Sequence, residues 1–188
     1  MEANSQNCNI VCLYSQIEEA YGKVVYSYTT QIIHAGRLYK KNNIMKWTQL
    51  ALSALSTTGF VGTLVSDCIY ISWIGGFISV ALLVLTAYFK DKEFSLLYKK
   101  HLDVANDLWL IRERYLSLLI DFNGLPKDEI IKIRDELQSC LADIYKKAPL
   151  TDDESYCLAK KSLNENESQF FTREELNKML PAPLRKID

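Results

Sequence analysis

Two apolar stretches stand back to back in the middle of the chain, Trp47 to Val65 and Ile69 to Phe89, with only Ser66, Asp67 and Cys68 between them. Neither contains a Lys, Arg, Asp or Glu. Each has about the ~20 residues that a helix rising ~1.5 Å per residue needs to cross a ~30 Å hydrocarbon core. Buried helices of a water-soluble bundle rarely run so long without a charge, so the pattern predicts a transmembrane hairpin. The flanks orient it. Arg37, Lys40, Lys41 and Lys46 precede the first stretch and Lys90, Lys92, Lys99 and Lys100 follow the second, while the connecting loop holds only Asp67. Basic residues stay on the cytoplasmic side, which places both termini there. Trp47 and Tyr88 at the inner edges and Tyr70 with Trp73 near the outer one suit the membrane–water interfaces.

Composition dilutes this signal. A net charge of -1 and a hydrophobic fraction of 48% across 188 residues resemble an ordinary globular chain, because a polar majority surrounds the hairpin. Residues Met1 to Val11 have neither a basic n-region nor an apolar h-region, so no cleaved signal peptide is expected and the hairpin itself must target the membrane. Cys8, Cys12, Cys68, Cys140 and Cys157 are scattered and odd in number, and four fall on the reducing side. They predict no disulfide framework. Cys8 and Cys12 lack a neighbouring Cys or His pair that would complete a tetrahedral site, so no metal is expected there.

Helix punctuation divides the chain into 1–46, an N-terminal cytoplasmic helical region; 47–89, the hairpin; 90–148, a cytoplasmic stalk and return helix; and 149–188, a C-terminal helical tail. From Leu13 to Lys41 apolar residues recur at Tyr14, Ile17, Tyr21, Val24, Val25, Tyr28, Ile32 and Leu38, giving an amphipathic helix that runs into the first span. After the second span the same periodicity continues through Leu102, Ala105, Leu108, Trp109 and Tyr115 to Asn123, Gly124 and Pro126. One long helix ending near Phe122 is expected. Lys127 to Lys147 forms a further helix that folds back on the stalk, and a short one is expected around Tyr156 to Leu163. Thr172 with Glu175 three residues on is a capping box for a last helix stopped by Pro181.

If the spans are antiparallel with inner edges near Lys46 and Lys90, residues whose numbers sum to about 136 share a height. His34 then lies near His101, Tyr28 near Leu108 and Tyr21 near Tyr115, with the histidines roughly 18 Å below the membrane edge. These two histidines are the only ones in the chain. They are open to a metal or proton role, or to an ordinary place as polar residues of a stalk.

The chain has no Gly-rich phosphate loop, Gly-x-Ser-x-Gly elbow, His-Glu-x-x-His or Cys-x-x-Cys pair. No catalysis and no cofactor are expected. Direct nucleic-acid binding is disfavoured, since 22 Lys and Arg are balanced by 23 Asp and Glu without a basic stripe. The informative polarity is inside the spans. Gln49, Ser53, Ser56, Thr57 and Thr63 fall roughly on one side of the first, and with Asp67 at the outer mouth they make a candidate water-lining set. Ala54, Thr58 and Gly62 form a small-residue row spaced by four, answered by Ser72, Gly75 or Gly76, and Ser79 in the second. The alternative is that all these residues only pack helices together.

His34-Ala-Gly-Arg37-Leu38, the hairpin from Trp47 to Phe89, and the helix HLDVANDLWLIRERY from His101 to Tyr115 followed by Leu118-Leu119-Ile120-Asp121 resemble the SLATT family. These are bacterial two-transmembrane effector domains that associate with SMODS- and SLOG-type nucleotide-handling proteins. The run Ala148-Pro149-Leu150-Thr151, Tyr156 with Ala159, Phe171-Thr172 and Leu180-Pro181 is similar to the extension of one subgroup. The resemblance implies an all-α membrane protein with long cytoplasmic helical extensions, resident in the bacterial inner membrane and acting in antiphage defence. It further implies homo-oligomers that breach the membrane lipid when triggered by a partner nucleotidyltransferase or a reverse transcriptase encoded nearby. The other reading is a non-conducting anchor for a cytoplasmic enzyme.

Overall fold

A computed structural model describes residues 2–65, 69–90, 94–165, 169, 171–179 and 181, without the side chains of 2–9, 58–65, 69, 71–72 and 89–90. The described residues form six α-helices and no strand: α1 (Glu2–Val65), α2 (Ile69–Lys90), α3 (Phe94–Asp121), α4 (Lys127–Lys147), α5 (Asp153–Asn164) and α6 (Arg173–Met179). The expected helix over 13–41 is thus part of α1, which contains no proline to interrupt it. Whether α2 and α3 are one helix, as the sequence pattern predicts, turns on residues 91–93, which lie outside the described set.

Local chemistry sets each boundary. Asp121 ends α3 and a short 3-10 turn, Phe122–Gly124, follows. Leu125 is then extended, at φ -102° and ψ 145°, because a residue before proline is pushed out of the helical region. Pro126 starts α4, its carbonyl accepting from the N–H groups of Glu129 (3.0 Å) and Ile130 (3.1 Å). Asp128 and Glu129 lie in the first turn of α4 and Lys146 and Lys147 in the last, each with the sign that the helix dipole favours. Ala148 precedes Pro149 and is again extended.

The span of α4 is the expected one, whereas α5 begins three residues before the expected short helix. The cause is Asp152, whose carboxylate accepts from the Ser155 N–H at 2.8 Å and so caps an earlier first turn. At α6 the capping box is present in both directions. The Thr172 N–H donates to Glu175 Oε2 at 2.8 Å and the Glu175 N–H to Thr172 Oγ1 at 3.3 Å.

The chain divides into two compact units, residues 1–33 with 104–188, and residues 34–103. In the first, α1, α3 and α4 enclose one apolar core of Leu13, Ile17, Val24, Leu108, Ile111, Tyr115, Leu118, Phe122, Ile130 and Leu137. The Tyr14 ring meets Phe122 edge-on at 5.0 Å. Above this core Arg134 donates to Gln16 and Arg114 to Glu136, each at 2.8 Å, tying α4 to both neighbours at the rim. Exposed pairs of this kind add at most about 1 kcal/mol each, so the core rather than the rim holds the unit together.

In the second unit α1 and α2 form the hairpin. From Asn42 onward the half-buried or buried described residues of α1 are Asn42, Met45, Gln49, Leu52 and Ser56, with Asn43 beside them, and those of α2 are Gly75, Ile78, Leu82 and Leu85. Alternating steps of three and four mark a single seam, as in a two-stranded coiled coil. The large apolar side chains point away from it. Trp73 is 72% exposed and Phe77 82%, and Trp47, Leu50, Leu55, Val80, Leu83 and Val84 are exposed too.

Candidate functional site

The seam sorts the polar residues of the hairpin. Ser56 Oγ lies 2.8 Å from Ser79 Oγ, one hydroxyl hydrogen-bonding the other across the two helices. Ser79 also reaches its own helix, donating to the Gly75 carbonyl at 2.9 Å. Thr57 Oγ1 donates to the Ser53 carbonyl at 3.0 Å and Thr48 Oγ1 to that of Ile44 at 2.9 Å. Back-bonding of this kind satisfies a hydroxyl in an apolar setting without any water.

The structure therefore separates residues that the sequence groups on one side. Gln49 and Ser56 belong to the seam, while Ser53 and Thr57 are exposed beside it. Thr63 and Asp67 fall outside the described side chains, as do Thr58, Gly62 and Ser72. Ala54 is exposed. Gly76 is exposed as well, and a Cβ built on it meets nothing within 4 Å. Within one chain, then, Gly76 makes no close approach to α1. Gly76 instead lines an open notch with Trp73, Phe77 and Val80.

Sequence reasoning missed Ser79 as the partner of Ser56. The available signal was the register, since 56 and 79 sum to 135. Among the described residues no helix is long and apolar enough to cross a membrane, the apolar stretches of both arms running on into side chains outside that set.

His34 and His101 meet as the register predicts, with ring centroids 4.3 Å apart and planes tilted by 45°. His101 is fully buried and His34 half-buried. Tyr39 and Tyr98 make the next contact in the same register, 5.6 Å between centroids. Among the described residues no group of three or more His, Cys, Asp or Glu is placed to hold a metal ion. The pair thus packs α1 against α3 within its unit by ring contact.

The remaining stalk residues lie in the other unit. Tyr28 packs on Trp109 at 5.3 Å, and the Arg112 guanidinium sits 4.4 Å from the Trp109 ring centroid, a cation–π contact. Leu108 and Tyr115 are fully buried. The Tyr115 hydroxyl is buried without a hydrogen-bond partner. Burial pushes its ionisation above the ordinary tyrosine range, Tyr145 adds to this and Arg134 partly offsets it.

Thr29, Thr30 and Gln31, three consecutive buried polar residues on α1, are a feature the periodicity gave no reason to single out. Consecutive positions on a helix point ~100° apart, so all three are buried only where several elements surround it. The loop after α4 supplies one, with Gln31 Nε2 donating to the Pro149 carbonyl at 3.5 Å.

The described residues thus form an all-helical protein, with a packed bundle in one unit and a helical hairpin in the other. The chain belongs to the SMODS and SLOG-associating 2TM effector domain family 4, whose family model matches residues 13–175. The match takes in both units and bears out the resemblance drawn from the sequence. No curated protein and no solved structure matches the chain significantly.

Proposed function

We propose that the chain is an inner-membrane effector of bacterial antiphage defence whose hairpin crosses the bilayer with both termini cytoplasmic. When a partner nucleotidyltransferase or reverse transcriptase triggers it, several copies assemble and breach the membrane. The observation that carries this reading is the outward display of Trp47, Leu50, Leu55, Trp73, Phe77, Val80, Leu83 and Val84 along both arms of the hairpin. A contiguous apolar surface of this kind requires a cover, and α2 carries no charge before its last residue, Lys90. Its 22 residues span roughly 33 Å, the thickness of a hydrocarbon core. The family description, a two-transmembrane effector domain, agrees.

A two-helix hairpin encloses no channel, so conduction needs several copies around a shared path. Ser53 and Thr57, exposed beside the seam, are the hydroxyls assigned to such a path, Thr57 exchanging its bond to the Ser53 carbonyl for water there, with Gln49 at the path's edge. Asp67 of the connecting loop would supply a ring of charge at the outer mouth. Ser56 is engaged with Ser79 and serves the seam. That engagement favours the second reading, a non-conducting anchor, because hydroxyls satisfied inside the hairpin need no water.

Liposomes containing the purified protein, with and without its partner, separate the two. The effector reading expects partner-dependent ion leakage that Ser53→Leu with Thr57→Leu abolishes while insertion and oligomer size are kept, and a shift toward anions in Asp67→Lys. Absence of leakage in the parent with its partner present leaves the anchor.

A further inference from the structure

We infer that the first unit holds a binding site for a small, flat, uncharged heterocycle of nucleobase or nucleoside type, in the cavity between α1, the Ala148–Asp152 loop and α5. The cavity has a volume of about 320 Å³, at the small end of the ~300–1,000 Å³ typical of ligand sites. Its walls include Tyr26, Thr30, Gln31, Tyr145, Thr151 and Tyr156. No charged side chain lines it among the described residues, so nothing there would repay the desolvation of a phosphate or carboxylate.

Two features select a flat ring. The rings of Tyr26 and Tyr156 stand 6.4 Å apart and 32° from parallel. This is the far end of the ~4.5–7 Å at which aromatic side chains attract each other directly. Both rings line the cavity and offer aromatic surface on which a flat ring can stack. The two tyrosines come from different helices, and the α1 ring is held in place, its hydroxyl donating to Asn164 Oδ1 at 2.9 Å. Tyr145 is held likewise by its 2.9 Å hydrogen bond with Ser27.

Hydrogen bonding then selects what the ring carries. Thr30 Oγ1 donates its proton to the Tyr26 carbonyl at 2.8 Å, which leaves the oxygen as an acceptor toward the cavity. An acceptor buried at this depth matches a ring N–H or an exocyclic amino group. Thr151, exposed in the extended loop, offers a hydroxyl at the mouth, where a sugar would emerge. Leu150 beside it also lines the cavity and is 95% exposed.

The test uses the full-length protein in nanodiscs, with adenosine and adenosine 5′-monophosphate as probes in equilibrium dialysis. Adenosine should bind saturably at one per chain, and the monophosphate no more tightly. Tyr156→Ala should weaken adenosine by roughly tenfold or more, the scale of a lost stacking ring, while Tyr156→Phe keeps the affinity. Tyr156 is half-exposed, so the alanine variant should fold, as circular dichroism would verify. Should it not fold, Thr151→Lys at the exposed mouth is expected to weaken binding instead. The proposal is overturned if adenosine, guanosine, cytidine and uridine all fail to bind saturably. It is equally overturned if binding survives both Tyr156→Ala and Thr151→Lys unchanged, or if the monophosphate binds tenfold more tightly. None of these outcomes bears on whether the hairpin enters a membrane.

Discussion

In the unit formed by residues 1–33 and 104–188 the largest apolar side chains are the most hidden, with Ile17, Leu108, Tyr115 and Leu137 all fully buried. In residues 34–103 the order reverses. Phe77, Trp73 and Leu83 are among the most exposed residues there, and the hairpin seam is built from Gly75, Ser56, Gln49 and a few aliphatic residues. Both units are antiparallel helices made from the same amino-acid alphabet, so propensity does not distinguish them. The contrast is one of solvent. The first unit excludes water by packing apolar groups inward. The second places Gln49 and Ser56 in its seam and presents large apolar side chains outward, the arrangement expected in hydrocarbon if the proposed membrane hairpin is right.

If that contrast is right, truncating a core residue should hurt far more in the first unit than truncating a rim residue in the second. Leu137→Ala or Leu108→Ala should cost about 2–5 kcal/mol, the usual penalty for a buried leucine, whereas Phe77→Ala should change stability little. Denaturant titration of the detergent-solubilised protein, followed by tryptophan fluorescence and circular dichroism, measures both. Equal losses would mean that Phe77 is packed in a core after all.

A charge on the outward face attacks the same contrast from the other side. Leu83→Arg near the middle of α2 should lower membrane insertion by about 2.5–3.5 kcal/mol, visible as protein lost from the membrane fraction. Arg at the exposed position of Ile120 on α3 should leave fractionation unchanged. A harmless Leu83→Arg would place that face in water.

The seam is a finer probe. Ser56→Ala, Ser79→Ala and the double variant form a thermodynamic cycle whose coupling should be about 0.6 kcal/mol, the average for hydrogen bonds between membrane helices. Zero coupling would break the assignment of Ser56 to the seam and return it to the candidate water-lining set.

The smallest effect concerns Tyr115. Its hydroxyl is buried without a hydrogen-bond partner, so Tyr115→Phe should be neutral or stabilising by about 1 kcal/mol. The ionisation of Tyr115 is raised in the fold, so its contribution is fully present below the ordinary tyrosine range. It is lost as pH climbs from there toward the raised value, because the unfolded chain sheds the proton first. Thermal melts across alkaline pH should therefore fall less steeply for Tyr115→Phe than for the parent.

Much of this architecture is legible in the sequence because antiparallel register is arithmetic. Tyr14 with Phe122, Tyr28 with Trp109, His34 with His101, Tyr39 with Tyr98 and Ser56 with Ser79 all sum to between 135 and 137, close to the value fixed by Lys46 and Lys90. Punctuation by Pro126 and Pro149 makes the bounds of α4 legible too. The division of labour among Gln49, Ser53, Ser56 and Thr57 is not. A hydroxyl on a helix can donate to water, to a neighbouring helix or to its own carbonyl four residues back, and residue type alone does not choose among them. The cavity beside Thr30 was hidden for a similar reason, since it exists only where α1, a proline-containing loop and α5 converge. Nothing in local periodicity announces that meeting.

The central claim is that residues 34–103 carry the membrane-embedded part of the chain, with both termini on the cytoplasmic face. The direct measurement is labelling by a membrane-impermeant maleimide in intact spheroplasts, using single-cysteine variants that retain Cys12, Cys68 or Cys157. The account predicts labelling of Cys68 from outside, and of Cys12 and Cys157 only after the membrane is permeabilised. Labelling of Cys12 or Cys157 in intact spheroplasts, or release of the protein from membranes by alkaline carbonate, would contradict it.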